Sequence, residues 1–400
     1  MITSFPWLFF LGLAVLLAVL TTPGTIYLLV LSIAGVMPIR RLMFELSPLT
    51  SETLNIVLLV PAHNESQGIG RTVANLFALA KADGSASVVV IADNCSDDTA
   101  AVAEANGARV LVRQDKVNRG KGFALDFAFK ALVKEGVDAY IVIDADSLAE
   151  ENLLTAIRAQ FKSGAQAIQT RYTVLNVDGS PRTKLAELAL CAFNCLRPRG
   201  RYRLNLSAGI LGNGFALRQG VLDTVPYTAS SVVEDLEYHL KLIDHGVIVQ
   251  FADDTVVKGD MPVSGVAQGT QRARWEGGRL RMLIDHGGSL AFKILQGKLR
   301  FLDPLLDLLL LPLAQHTILL VLLFLMPFYW AKTLALFGLC VLVFHVLAAS
   351  RVGGISFPAL IGIFLLIPKY LFWKIMMLRS TVRTSKTTTQ WIRTDRDNQK

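Results

Sequence analysis

Cysteine is scarce and unpaired in this chain. Its four cysteines, Cys95, Cys191, Cys195 and Cys340, form no Cys-x-x-Cys pair and no Cys/His ligand spacing, which excludes a zinc ribbon or a disulfide-built scaffold. Cys191 and Cys195 sit at i and i+4, share a helix face, and read as small buried residues. Aromatic residues do not interleave with basic ones, and no nucleic-acid-binding module is present. The formal net charge of +8 therefore reads as attraction to anionic lipid and to phosphorylated substrates. Internal repeats and low-complexity stretches are absent as well. Most telling, residues 1–39 contain no Asp, Glu, Lys, Arg or His. A cleaved leader is not expected there, since a basic n-region and a small-residue cleavage site are both missing.

What is present is hydrophobic residue in unusual amount, 52% of 400 residues, and it is unevenly spread. Trp7 to Val36 is long enough to cross a bilayer, for which about 20 apolar residues suffice. Thr21-Thr22-Pro23-Gly24 interrupts the run, and each half alone is too short, so one long kinked helix is expected over 1–42. Three further apolar segments, Leu305–Trp330, Leu334–Ala349 and Ile355–Phe372, fall within a C-terminal membrane portion at 303–378. Arg40 and Arg41 follow the first helix directly, so the positive-inside bias puts the residues after them in the cytoplasm. Three full spans would then leave the basic tail at 379–400 outside, yet Arg379, Arg383, Lys386, Arg393 and Arg396 argue that it is inside. One of the three segments is therefore expected to be re-entrant or to lie on the surface.

Residues 50–300 hold most of the charge and have the size of a soluble domain, its core expected over 50–285 and joined to the first helix by a linker at Ser47–Asn55. Apolar runs at Leu54–Val60, Ser87–Ala92, Arg109–Val112 and Tyr140–Ile143 alternate with helical patterns at Gly70–Lys81, Thr99–Asn106 and Lys121–Lys134. That alternation predicts an α/β domain with a mostly parallel, doubly wound sheet. A second half begins near residue 150, with a strand at Gln166–Tyr172 and a helix at Lys184–Leu196. In such a sheet ligands bind beyond the carboxyl ends of the strands. The polar clusters at 61–65, 93–98 and 144–147 all fall at such ends.

The last of these clusters ends a buried-strand pattern, Tyr140-Ile141-Val142-Ile143, with Asp144-Ala145-Asp146-Ser147. Alternation along an extended chain turns Asp144 and Asp146 to the same side. Two carboxylates so placed suit a hard cation such as Mg²⁺ or Mn²⁺, which takes oxygen ligands and bridges them to phosphates. An isolated Asp-x-Asp also fits a solvated turn; its neighbours in sequence favour the metal reading.

Several further motifs follow in order. Pro61-Ala62-His63-Asn64-Glu65, Asp93-Asn94-Cys95-Ser96-Asp97-Asp98, Asn118-Arg119-Gly120-Lys121-Gly122 and Asp144-Ala145-Asp146 are succeeded by Gly212-Asn213-Gly214-Phe215, Val233-Glu234-Asp235 and Gln271-Arg272-Ala273-Arg274-Trp275. Over residues 54–285 this series resembles the family-2 glycosyltransferases, in particular membrane-embedded inverting members such as cellulose and hyaluronan synthases and ceramide glucosyltransferase. The resemblance implies a GT-A fold, a Rossmann-like mixed but mostly parallel sheet with helices on both faces, flanked here by N- and C-terminal transmembrane helices. It further implies a nucleotide-sugar donor and a divalent metal, Mg²⁺ or Mn²⁺. Pro61 and Glu65 then contact the nucleoside, Asp93 the base, and Lys121 lies near the nucleotide. Asp146 is the metal ligand, with Asp144 as helper nearer the sugar and ribose. Asn213 and Gly214 line the acceptor side, and Asp235, beside Glu234, is the general base. Two positions depart from the family pattern: Ala92 stands where a first Asp is usual, and Val233 where a Thr is.

These residue types suit the chemistry. A departing diphosphate gains negative charge, which a metal on the Asp pair and the guanidinium of Arg274 stabilise, with Gln271 in the same motif. The acceptor hydroxyl must lose a proton as it attacks, which is the work of Asp235. Trp275 offers a flat apolar face to a sugar ring. Duller readings stand beside these: Asp93 or Asp97 as helix N-caps, Glu65 as a first-turn acid, Lys121 as a solvated helix start, Glu234 and Asp235 on the exposed face of a helix, His63 as a loop hydrogen-bonder. Arg197, Arg199, Arg201 and Arg203 read as a surface facing lipid headgroups. Around 270–300, Arg272, Arg274, Arg279 and Arg281 alternate with Trp275, Leu280, Met282 and Leu283, a basic amphipathic segment suited to the membrane surface. The expectation is a membrane-bound, cytoplasm-facing transferase acting on a lipid-linked saccharide or a growing exopolysaccharide, with membrane lipids and exopolysaccharide-assembly proteins as partners and no nucleic acid. A processive polymerase and a non-catalytic membrane scaffold are the rival readings.

Overall fold

A computed structural model describes residues 5–37, 54–228, 231 and 233–386. Arg40, Arg41, the 47–53 part of the linker, Arg393 and Arg396 lie outside the described residues, and Arg379, Arg383 and Lys386 outside the described side chains. In chain order the elements are α1 (Phe5–Val36), β1 (Ile56–Ala62), α2 (Ile69–Asp83), β2 (Ala86–Asp93), α3 (Thr99–Ala105), β3 (Arg109–Arg113), α4 (Lys121–Leu132), β4 (Ala139–Val142), β5 (Ser147–Ala149), α5 (Leu153–Lys162), β6 (Ala167–Val174), α6 (Pro181–Leu190), a π-helical segment (Cys191–Leu196), α7 (Arg197–Arg203), β7 (Phe215–Arg218), α8 (Gln219–Thr224), α9 (Glu234–Asp244), β8 (Val249–Gly259), α10 (Gly265–Leu295), α11 (Leu302–Leu309), α12 (Leu313–Phe324), α13 (Tyr329–Gly353) and α14 (Phe357–Lys386). They form two compact units.

The unit holding the described parts of Ile39–Leu190 and Arg201–Gln268 is built on an eight-stranded sheet in the order β3-β2-β1-β4-β7-β6-β8-β5. The first four are parallel, as the sequence predicts. β7 runs antiparallel to β4 and β6, which makes the sheet mixed. The alternating side chains of β1 explain why its run is continuously apolar. Val57 and Leu59 pack under α4 and α9 with Leu125, Phe129 and Leu242, whereas Leu58 and Val60 pack with Ile69, Val73 and Leu76 of α2 and Leu153 of α5. A sheet covered on both faces leaves no side of the strand for polar residues.

β1 also runs through Pro61, where the sequence pattern ends it at Val60. Ile143 N donates to Leu59 O at 3.0 Å, so by alternation residue 61 faces β4 as well. The β1–β4 ladder has already stopped at Leu59↔Val142. The missing N–H of Pro61 is thus not asked for, and pairing with β2 continues to Ala62↔Ala92.

The other unit comprises the described parts of Met1–Pro38, Cys191–Gly200 and Gly269–Thr387. α1 continues unbroken through Pro23. Gly24 gives it close approach to its neighbours: a Cβ there would lie 3.0 Å from Leu310 Cδ1 and 3.1 Å from His316 Cε1. Trp7–Val36, Tyr329–Gly353 and Phe357–Met377 are long and apolar enough to cross a membrane.

The expected span Leu305–Trp330 is not one helix. Its first part ends in α11, its second begins in α12, and the two lie at 77°. Pro312 is the cause: it bars the helical conformation for the residue before it, and Leu310 is already extended at φ −67°, ψ 114°. Polar pairs knit this unit internally. Tyr27 Oη donates to Asp303 at 2.6 Å, and Thr25 and Ser32 meet His316 and His345 at 2.9 and 2.7 Å.

The arginine cluster at 197–203 differs from its reading as a lipid-facing surface. Arg197 and Arg201 are each only 5% exposed. Arg197 lies 4.4 Å over the Phe193 ring and is ion-paired with Asp307 of α11. That acid is far away in sequence, so the local run of charge could not reveal it. Cys191 and Cys195 are fully buried thiols, as expected.

Candidate active site

The loops after β1, β2 and β4 meet along one edge of the sheet because their strands are parallel neighbours. The first two are stitched together by polar side chains. His63 Nδ1 lies 2.7 Å from Asp93 O, Asn64 Oδ1 accepts from Ser96 N at 2.7 Å, and Thr99 Oγ1 accepts from Glu65 N at 2.8 Å. Asp97 accepts from Ser66 N and from Thr99 N and Oγ1, so it braces the turn. Asn64 and Asn94 hold φ of 54° and 52°, a left-handed conformation that asparagine tolerates better than most residues. Glu65 is half-buried at the start of this stitched pair, and Pro61 is the penultimate residue of β1.

Asp93 is not a helix cap. It is 7% exposed, and its Oδ1 accepts from Arg113 Nη1 at 2.7 Å and from Asn94 Nδ2 at 2.9 Å. Arg113 is held in turn by Asp115 Oδ2 at 2.9 Å and Asn118 O at 2.7 Å. Burial pushes the Asp93 carboxyl up, and the guanidinium opposes that shift. Arg113 escaped the sequence reading because the apolar pattern of β3 stops at Val112. The signal was the register itself: Asp93 and Arg113 are paired ends of adjacent strands.

A second cluster forms around Lys121, the first residue of α4. Its ammonium contacts both Asp144 Oδ1 and the carbonyl of Gly212. Glu234 and Asp235 open α9 beside the same cation, and the sequence alternative of an exposed helix face does not hold, as both are half-buried. Burial and the neighbouring Asp235 charge raise Glu234 to about 7, while Lys121 pulls it down. Burial also raises Asp235, against the Leu236 amide and Lys121. Burial alone would lower the Lys121 ammonium, but Asp144 and Glu234 together carry it above its ordinary value. Gly212 sits where a Cβ would lie 3.1 Å from Asp235 Oδ2.

Lys121→Gln is accordingly expected to move the acid limb of any activity profile toward higher pH. Without the cation, Glu234 and Asp235 ionise later, and a base works only when ionised. A pH–rate series on the variant checks this, and an unmoved limb would show that the lysine charge does not govern the pair.

Asn213 and Gly214, expected on the acceptor side, each hold backbone in place. Asn213 is 1% exposed; its Oδ1 accepts from Asp144 N at 3.0 Å and its Nδ2 donates to Ser147 Oγ at 2.8 Å. It therefore fixes the Asp144–Ser147 turn from below. Gly214 has φ 69°, and a Cβ there would come within 2.3 Å of Thr170 Oγ1, so it serves backbone packing between β6 and β7.

Asp144 and Asp146 alternate with buried Ile143, Ala145 and Ser147 and are themselves half-exposed. Among the described residues no three His, Cys, Asp or Glu gather to hold a metal unaided. Two carboxylates do fit Mg²⁺ or Mn²⁺, which keep waters and complete their shell with phosphate oxygens. One Asp144 oxygen is committed to Lys121, and Asp146 Oδ1 accepts from Ser147 Oγ at 3.1 Å. Gln271, Arg274 and Trp275 belong to the other unit, on α10, and all three are half-buried.

A mixed α/β sheet with paired acids beyond the end of β4 and a lysine facing them defines a GT-A-like fold. Residues 54–278 match the family described as "Glycosyltransferase like family 2", more than half of the chain, and the chain belongs to that family. It is similar to a probable glycosyltransferase, YdaM, of Bacillus subtilis, 22% identical over 58% of this chain and 57% of the relative. It also resembles the beta-monoglucosyldiacylglycerol synthase of a Synechocystis strain, 26% identical over 58% of this chain and 49% of the relative. The chain thus spans about half the length of the curated relatives it matches. Among solved structures, a mannosyltransferase of Pyrobaculum calidifontis, PcManGT, in complex with GDP-Man and Mn²⁺, superposes with a TM-score of 0.56 at 17% identity, over 94% of this chain and 97% of that one.

Proposed function

We propose that this chain is a membrane-bound inverting glycosyltransferase that moves a sugar from a nucleoside-diphosphate sugar, a UDP-sugar in the first instance, to a lipid-borne acceptor. The observation that carries this reading is the gathering of Lys121, Asp144, Glu234 and Asp235 in one cluster. The stitched loops at Glu65 and the Asp93–Arg113 pair would hold the nucleoside. Side by side, a carboxylate acceptor and a guanidinium donor match the adjacent N–H and C=O of a cyclic amide edge, which uracil and guanine both carry.

Asp146, with Asp144, would hold the divalent ion. When bound, that ion supplies Lewis-acid stabilisation to the leaving diphosphate. Lys121 restrains Asp144 and keeps positive charge at the site, and Arg274 is assigned charge-assisted bonds to the diphosphate from its motif. Asp235 accepts the proton of the acceptor hydroxyl as the new bond to the anomeric carbon forms and the bond to the diphosphate breaks. Attack from the face opposite the leaving group inverts the anomeric centre. Trp275 would stack on the acceptor sugar or lie at the lipid boundary.

Among the described residues, three long apolar helices, or up to four spans if the bent pair counts as one, supply little wall for a polysaccharide channel, which favours single addition over processive export. The 77° break between α11 and α12 supports reading that pair as re-entrant. Two full C-terminal crossings then return the basic tail to the cytoplasmic side, where its charge argues it belongs.

Full-length protein in detergent, given UDP- and GDP-sugars with Mg²⁺ or Mn²⁺ and a total lipid extract, should release nucleoside diphosphate and yield a glycosylated lipid. Asp146→Ala should abolish that release. Absence of release with every common donor, or full activity in Asp146→Ala, sinks the reading.

A further inference from the structure

The arginines of α10 were expected to form a basic amphipathic segment at the membrane surface, yet Arg272 and Arg279 engage partners on other helices. Arg272, Glu276 and Arg279 sit at i, i+4 and i+7, one stripe of the helix, and each turn of that stripe is tied down within its own unit. The Arg272 guanidinium lies 5.5 Å from the Tyr370 ring of α14. Glu276 is ion-paired with Lys374, one turn further along α14, and accepts from Gln315 Nε2 of α12 at 3.4 Å. Arg279 Nη1 donates to Asp307 Oδ2 of α11 at 3.1 Å. The middle tie is the deepest, with the Lys374 side chain 2% and the Glu276 side chain 13% exposed.

A lysine buried in so apolar a helix is hard to justify by stability. Replacing a buried ion pair by well-packed apolar residues is often neutral or stabilising, and ionisable residues inside apolar helices of membrane proteins usually mark function. What a buried pair does supply is register, because its two charges meet in one rotation and at one height. The neighbouring stripe of α10 carries Gln271, Arg274 and Trp275 at i, i+3 and i+4, so whatever fixes the rotation of the helix also fixes where these three point.

We propose that the Glu276–Lys374 pair is a positioning device for the transfer reaction, locking the rotation and axial height of α10 so that Arg274 and Trp275 are held in one orientation. Glu276 and Lys374 touch no substrate in this scheme; they act through their neighbours. The inference rests on the transferase reading above for the consequence it predicts, though not for the geometry.

The test compares full-length wild type with Lys374→Met, the apolar double variant Glu276→Met/Lys374→Met, and the swap Glu276→Lys/Lys374→Glu. Misplacing a reacting group by about 1 Å costs on the order of 10²-fold; kcat should fall toward that extent in the first two, with the donor KM little changed. The double variant should melt no lower than wild type, and the swap should recover most of kcat. Spin labels at Ser289 and Met376 should give one narrow distance in wild type and swap, and a broadened one in the apolar double. Wild-type kcat and a narrow distance in the apolar double would overturn the proposal. Should wild type prove inactive with every donor, the transferase reading fails while the distance measurement still decides the clamp.

Discussion

Asp235→Asn should lower kcat by roughly 10²–10⁴-fold, the usual contribution of a general base, while leaving donor affinity intact. Asparagine keeps the volume of the side chain and its contact with the Leu236 amide, 2.8 Å from Asp235 Oδ1 in the native protein, but cannot take a proton. The neighbouring carboxyl makes the experiment sharper. Glu234 stands at about 7 in part because of the Asp235 charge, so in Asp235→Asn the remaining acid should titrate lower. Glu234→Gln should instead leave the acid limb where it is, because Glu234 is already protonated in the range where Asp235 titrates, with kcat largely kept. If Glu234→Gln is the inactive variant and Asp235→Asn keeps most of its rate, the two roles are exchanged.

The same pair carries a stability signature of definite sign. A carboxyl whose value is raised on folding binds more protons in the folded state, so its cost is absent below the unfolded value and grows as pH rises toward the folded one. For Glu234 that window runs from its ordinary 4.5 to about 7. Glu234→Gln should therefore melt higher than wild type above that window, with the difference fading toward acid pH. A site that gains stability when its charge is removed is one held in place for chemistry rather than for folding.

Local pattern carried the sheet far better than it carried the pairings. β1, β2 and β4 were legible to within two residues because burial on both faces forces a continuous apolar run, and Asp144-Ala145-Asp146 stood out because it ends one. The role of Asn213 was not legible, since its amide reaches a turn some seventy residues earlier that only the β4–β7 pairing brings near. Arg197 looked like surface because its counter-ion, Asp307, lies in another helix. Pro312 was in plain view, yet an apolar window reads across it, and only the backbone conformation before a proline reveals the break. Features that depend on one residue and its strand survived translation into structure. Those that depend on which distant element arrives did not.

Arg113→Met should be the most damaging change to the fold of this site, at a cost of about 3–5 kcal/mol, because it leaves the Asp93 carboxylate buried with its counter-charge gone. The side chains of Arg113 and Asp93 are 8% and 10% exposed, so water cannot take over. The remaining partner of the Asp93 oxygen, Asn94 Nδ2 at 2.9 Å, is a neutral donor and compensates only in part. The guanidinium also ties Asp115 and Asn118 O, so its loss should loosen the loop that leads into Lys121. Asp93→Asn on top of Arg113→Met removes the stranded charge and should recover most of the melting temperature. It should not recover donor binding, because the acceptor–donor pair proposed to read the base is then gone on both sides. Calorimetric unfolding and nucleotide titration on the single and double variants separate these two effects. If the double variant regains nucleotide affinity along with stability, Asp93 and Arg113 form a strut between β2 and β3, and the base is read elsewhere.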